Sequence, residues 1–307
     1  MAWDSYYRGD GVARDVVLAK PPPWRTFPRS SLAPVFLPPE GLIDAVNAAL
    51  ALRRPLLVTG PPGSGKSTVA DSVATELKLG RVLRWHVTSQ STLKEALYRY
   101  DVLGRIHTHQ LGRDTDDIAP YLQLGPLGTA LAPADRPRAL VIDELDKSDL
   151  DLPSDLLDVL ERGEYDIPEL SRHSPAEKSV RGTDDSSHRI VSGHVRCTEF
   201  PFIVITSNGE RDFPAPFLRR CVRFSMPSLT DVDTVKQMVH AHLDSIDVDD
   251  GPAADLIGEF VRRVQAGELL ALDQLLGAAF LLSGMDDLPD DRRGSLLETL
   301  LRELTRV

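Results

Sequence analysis

The sequence predicts an α/β fold: a parallel sheet between helices up to about residue 228, then a small all-helical domain. Three observations predict it. Short apolar runs alternate with stretches of helical apolar spacing, the pattern of strands buried on both faces and joined by crossover helices. A glycine-rich loop separates the first such run from a helix. From Asp231 onward the chain reads as helices alone, and strands followed by a run of helices point to a second, helical domain.

Taken in order, residues 1–38 are rich in Pro, Arg and aromatics and read as a partly extended arm on the main domain, because prolines block helix there. EGLIDAVNAALAL has helical spacing. PLLVT (55–59) reads as a buried strand, residues 66–77 as a helix, RVLRWHV (81–87) as a strand and STLKEALYRYDVL as a helix. Within the mixed stretch 105–137, GPLGTAL reads as helical. RALVIDE (138–144) is a third buried strand, followed by an amphipathic helix to about Arg162. Residues 171–188 are polar and read as an exposed, mobile loop. RIVSGHVRC reads as one alternating strand, PFIVITS (201–207) as a buried strand and CVRF as a short one. DVDTVKQMVHAHL, PAADLIGEFVRRV, LLALDQLLGAAFLL and RRGSLLETLLRELT read as helices. These readings divide the chain into an arm (1–38), an α/β core (39–228) and a helical domain (229–307), with no internal repeat.

Composition narrows the class. The 307 residues are 42% apolar and 26% charged, ordinary for a water-soluble globular protein. The net charge of −11 argues against nucleic acid as the main partner, since phosphate binding relies on Lys and Arg. Cys197 and Cys221 sit in no CxxC or Cys/His cluster, so they read as reduced core residues rather than zinc ligands. No apolar run reaches the ~20 residues of a membrane span, and the first residues show no signal-peptide pattern, so a cytoplasmic location is expected.

Gly60-Pro61-Pro62-Gly63-Ser64-Gly65-Lys66-Ser67, followed by Thr68, matches GxxxxGK[ST] between a strand and a helix. Glycines let backbone N–H groups curl around phosphates without Cβ clashes, and the helix N-terminus adds its positive end. Lys66 is placed to reach the β- and γ-phosphates and the Ser67 hydroxyl to ligate Mg²⁺. About 80 residues on, LVIDE ends a buried strand beside this loop. Asp143 there suits Mg²⁺ held through water, and Glu144 suits a general base on the attacking water. The blander reading makes both acids caps of the next helix; Asp146 and Asp149 are read as capping or flanking that helix, with no catalytic role. IVITSN (203–208) ends another strand, where Asn208 would orient the water, although a strand followed by Asn is also a common turn.

The order GPPGSGKST, LVIDE, ITSN and FLRRC resembles the AAA+ superfamily, with its Walker A, Walker B, sensor 1 and arginine finger. Within it LGPLGTAL, DLLDVLERGEY and the strand insert before ITSN resemble the MoxR branch, near the dynein-related and McrB-like ATPases. The resemblance spans about residues 34–285. It implies an ATPase with ATP and Mg²⁺ as cofactors, and a homo-oligomeric ring, hexameric in the usual case. It maps the finger to Arg220, with Arg219 as runner-up, although a surface arginine pair would look the same. It also implies remodelling of a protein client or partner, such as a von Willebrand A-domain protein. One departure stands out: the third helix of the helical domain opens on Glu268-Leu269-Leu270-Ala271-Leu272-Asp273, without the sensor 2 arginine, and Arg262 or Arg263 would have to substitute. Two other functions fit the motifs, an ATP-dependent assembly switch in signalling or defence and a McrB-like motor serving a nuclease. A small-molecule kinase explains neither Arg220 nor the helical tail.

Overall fold

The computed structural model describes residues 6–7, 9–27, 36–112, 115–172, 177–243, 246–283, 294 and 298–301. They divide into two compact units. The larger takes Pro38–Gly60 and Gly65–Met226. It contains α1 (Leu42–Leu52), β1 (Leu56–Thr59), α2 (Thr68–Glu76), β2 (Leu83–His86), α3 (Leu93–Leu97), β3 (Tyr98–Tyr100), α4 (Val102–Gln110), β4 (Leu122–Leu124), α5 (Pro126–Ala130) and β5 (Ala139–Asp143). After these come α6 (Leu152–Arg162), β6 (Glu164–Asp166), α7 (Pro168–Ser171), β7 (Glu177–Arg181), β8 (Ser187–Val191), β9 (His194–Arg196), β10 (Phe202–Ser207), α8 (Ala215–Leu218) and β11 (Val222–Ser225).

Five of these strands form the expected parallel sheet between helices, in the order β11-β1-β10-β5-β2. Leu56–Val58, Leu140–Ile142 and Phe202–Ile205 are all buried, which is why the central strands are continuous apolar runs. The order corrects one detail of the sequence reading. The strand beside the glycine-loop strand is β10, and the acidic strand β5 lies one place further out.

A second sheet, β3-β4-β7-β8-β9-β6, was not foreseen as a unit. STLKEALYRYDVL is not one helix. Asp101 accepts from Gly104 N (2.8 Å) and caps a new helix, α4, leaving Tyr98–Tyr100 extended and paired with β4. The segment 171–188, taken from its polarity for an exposed loop, is largely a hairpin: β7 and β8 pair antiparallel, while 173–176 lie outside the described residues. Val180 and Ile190 are buried among polar neighbours that face solvent, and this alternation is a half-buried strand pattern. Its turn is tied down. Asp184 accepts from Arg138 and from Ser186 Oγ, Ser186 Oγ bonds His188 Nε2 (2.7 Å), and Thr183 Oγ1 donates to Leu124 O (2.9 Å). RIVSGHVRC is likewise two strands, reversed at Ser192 and Gly193, whose φ values of 54° and 74° suit a two-residue hairpin turn.

The smaller unit takes the described residues of Met1–Leu37, Pro61–Ser64 and Pro227–Val307. Its helices are α9 (Val232–His242), α10 (Pro252–Gln265) and α11 (Leu272–Leu282). Asp231 caps α9 by accepting from Thr234 N (2.8 Å). Val235, Val239, Ile257, Phe260 and Leu275 form the centre of its core. Trp24, on the arm expected to lie on the main domain, meets Phe280 of this unit edge-on at 6.2 Å. Much of the fourth expected helix, RRGSLLETLLRELT, lies outside the described residues. Among the described residues no helix is long and apolar enough to cross a membrane.

Candidate active site

The loop after β1 has the backbone that its glycines make possible. Gly63 and Gly65 have φ of 70° and 81°, where an L side chain is strained. A Cβ at Gly63 would also lie 3.0 Å from Ala271 Cβ and 3.1 Å from Leu272 N. Ser64 Oγ donates to Pro61 O (2.8 Å), and Thr68 N donates to Gly65 O (3.0 Å) where α2 begins. Lys66 is 7% exposed and donates from Nζ to Gly60 O (2.8 Å). Burial pulls its pKa down, and the charges of Asp143, Asp146 and Glu144 oppose that shift. A buried cation at the end of a glycine-rich loop suits a polyphosphate.

The acids come from the end of one strand, and their partners from the end of its neighbour. Asp143 closes β5. Its Oδ1 accepts from Ser67 Oγ (2.7 Å) and from Thr206 Oγ1 (2.6 Å). Thr206 Oγ1 in turn accepts from Glu144 N (2.9 Å). Glu144 adopts φ 59°, ψ 47°, an uncommon conformation for a residue with a Cβ, and such strain concentrates at functional sites. Its Oε1 accepts from Asn208 Nδ2 (3.3 Å) and its Oε2 from Lys147 Nζ (2.8 Å). The bond to Glu144 holds the Lys147 ammonium above its ordinary pKa. The structure thus brings Lys66, Ser67, Asp143, Glu144 and Asn208 together. The oxygens of Ser67 and Asp143 fit Mg²⁺, a hard cation commonly held by one or two protein oxygens and the phosphates of its substrate. No larger group of His, Cys, Asp and Glu able to hold a metal occurs among the described residues.

Arg220 stands apart from this cluster. It follows α8, and its described bonds go to Glu161 of α6 and to Pro216 O (3.4 Å), with its side chain 43% exposed. Arg219 is exposed. Arg262 pairs with Glu259 (2.6 Å) and Arg263 Nε donates to Glu268 Oε2 (2.7 Å), while the backbone beside Gly63 is that of Ala271 and Leu272.

Sequence reasoning missed four residues. Thr206 lies within ITSN but was given no role of its own, although a hydroxyl on a wholly buried strand was a signal that it bonds something. His86 lies opposite Asp143 in the β2–β5 register, and its Nε2 is 3.7 Å from Glu144 Oε2. Lys147 is one turn past Glu144. Asp146, expected to cap or flank the next helix with no catalytic role, accepts from Asn208 N; it is Asp149 whose Oδ1 takes Leu152 N (2.9 Å) at the start of α6.

The family model described as "AAA domain (dynein-related subfamily)" matches residues 55–221. Among solved structures, NtrX from Brucella abortus with ADP is 14% identical, covering 82% of this chain and 53% of its own, at TM-score 0.44. The ATP complex of NtrX is 15% identical, with coverage 81% and 50% and TM-score 0.43. A RuvB variant from Thermotoga maritima is 15% identical, with coverage 84% and 66% and TM-score 0.43. The chain therefore spans about half the length of the NtrX chains it matches. No curated protein matches the sequence. With more than half of its length under one family model, the chain belongs to the dynein-related AAA domain family of AAA+ ATPases.

Proposed function

We propose that this chain binds ATP with Mg²⁺ and hydrolyses it, as one protomer of a ring that remodels a protein partner. The observation that carries this reading is the bonded group Ser67–Asp143–Thr206–Glu144 beside buried Lys66. Lys66 and the loop N–H groups hold the phosphates, and Ser67 and Asp143 hold Mg²⁺. The metal supplies positive charge against the phosphate oxygens. Glu144 takes the proton of the attacking water, and Asn208, bonded to the same carboxylate, orients that water. Arg220, half-buried and paired with Glu161, would leave that partner and serve the phosphates of a neighbouring protomer, as the family resemblance implies. The resemblance also favours the MoxR-like branch, a hexameric ring, a von Willebrand A-domain protein as partner and action in the cytoplasm.

Glu144→Gln tests the chemistry. It keeps the shape and the Asn208 contact but removes the base. ATP should stay bound while turnover falls by about 10²-fold or more. Turnover near that of the unchanged protein would place the base elsewhere.

A further inference from the structure

Asp146 lies two residues past Glu144 and is 3% exposed. Its Oδ2 accepts from Asn208 N and Glu210 N, both at 3.0 Å. Its Oδ1 is buried with no hydrogen-bond partner among the described residues. Burying an acid with one oxygen unpaired is unfavourable, so the position is informative about what the other oxygen does. Both of its bonds fall on the loop that leaves β10, on alternate N–H groups, and so fix the direction of that backbone. The residue so held is Asn208, whose Nδ2 reaches Glu144 Oε1. Asp146 therefore closes a circuit: along the chain it is joined to Glu144, and through space it holds the amide that meets Glu144.

We propose that Asp146 is a positioning residue for hydrolysis, which sets Asn208 against Glu144 through two backbone hydrogen bonds. This deepens the proposed function and rests on it. Asp146 touches neither substrate nor metal. Its contribution lies in the turnover step, and nucleotide affinity belongs to the loop and Lys66.

The test is a comparison of kcat, KM for ATP and the Kd of a fluorescent ATP analogue in Asp146→Leu, Asp146→Asn, Asn208→Ala and the double variant Asp146→Leu/Asn208→Ala. In Asp146→Leu, kcat should fall about 10- to 100-fold, the scale of misplacing a catalytic group, with KM and Kd within about twofold. Asp146→Asn should stay within about threefold of the unchanged protein, because its amide oxygen accepts both N–H groups. The double variant should be no slower than Asn208→Ala, since the two act through one contact. Full-rate Asp146→Leu, Asp146→Asn as slow as Asp146→Leu, or losses that multiply in the double variant would each overturn the proposal. If Asp146→Leu does not fold, Asp146→Ser replaces it in the same cycle, with the same expectations. Glu144→Gln measured alongside separates the levels. If it is inactive while Asp146→Leu is fully active, only the role of Asp146 fails. If it turns over normally, the proposed hydrolysis site fails and the positioning role fails with it.

Discussion

Thr206→Val is the most revealing single change near the acids. Thr206 is 1% exposed, donates to Asp143 Oδ1 and accepts from Glu144 N. Valine keeps its shape and volume, so little cavity forms, and the change isolates two hydrogen bonds. The first is to a carboxylate, about 1.5–3 kcal/mol. The second leaves the half-buried Glu144 N–H without its partner, up to about 1–3 kcal/mol. Ser67 Oγ still donates to the same Asp143 oxygen and offsets part of the first loss. A net destabilisation of about 2–4 kcal/mol is expected. Glu144 also loses the bond that secures its left-handed backbone, so kcat should fall with stability. Urea unfolding measures the first effect, as a lower midpoint at unchanged slope, and steady-state ATP hydrolysis measures the second. Thr206→Ser, which keeps the hydroxyl, should recover most of both. If Thr206→Val unfolds within about 0.5 kcal/mol of the unchanged protein and hydrolyses ATP normally, the bonded group around Asp143 does not organise the site.

Lys66→Ala should abolish binding of a fluorescent ATP analogue, because it removes the one side-chain cation of the loop; an unchanged titration would take the loop out of the site. Arg220→Ala should bind ATP but turn over about 10³-fold more slowly, and mixing it with Lys66→Ala should restore activity, since each supplies what the other lacks. Failure of rescue, with specific activity independent of protein concentration, would point to a protomer that works alone. Burial pushes the Cys221 thiol up to about 12, so iodoacetamide at neutral pH should leave it unmodified in the folded protein and alkylate it in urea, as read by mass spectrometry. Rapid native labelling would contradict its place in the core.

The central sheet could be read from sequence because its information is local. A strand buried on both faces has to be apolar along its length, and Leu56–Val58, Leu140–Ile142 and Phe202–Ile205 are. The second sheet could not, because its strands are short and half-exposed. Val180 and Ile190 are single buried residues among polar ones, so the composition of 177–191 resembles a solvated loop until the two strands are paired. The tyrosines at 98 and 100 were absorbed into a helical pattern that Asp101 in fact interrupts by starting a new helix.

The sequence by itself determined the glycine loop, the lysine that follows it, the acids that end one buried strand and the asparagine that ends another. Each is set by residue type over a few positions: glycine where φ is positive, charge where apolar strand stops. Only the tertiary structure decided how these ends meet. The order β11-β1-β10-β5-β2 puts β10 between the loop strand and the acidic strand, and the pairing of Ile205 with Ile142 brings Thr206 beside Asp143. The pairing of His86 with Asp143 adds a histidine that no motif announced. The loop beyond β10 then descends onto Asp146, some sixty residues earlier in the chain. Parallel strands are joined by long crossovers, so neither their order nor their register is encoded in any short stretch of sequence. They are settled when the apolar faces of many segments are buried at once, and the polar residues at the strand ends come together as a result.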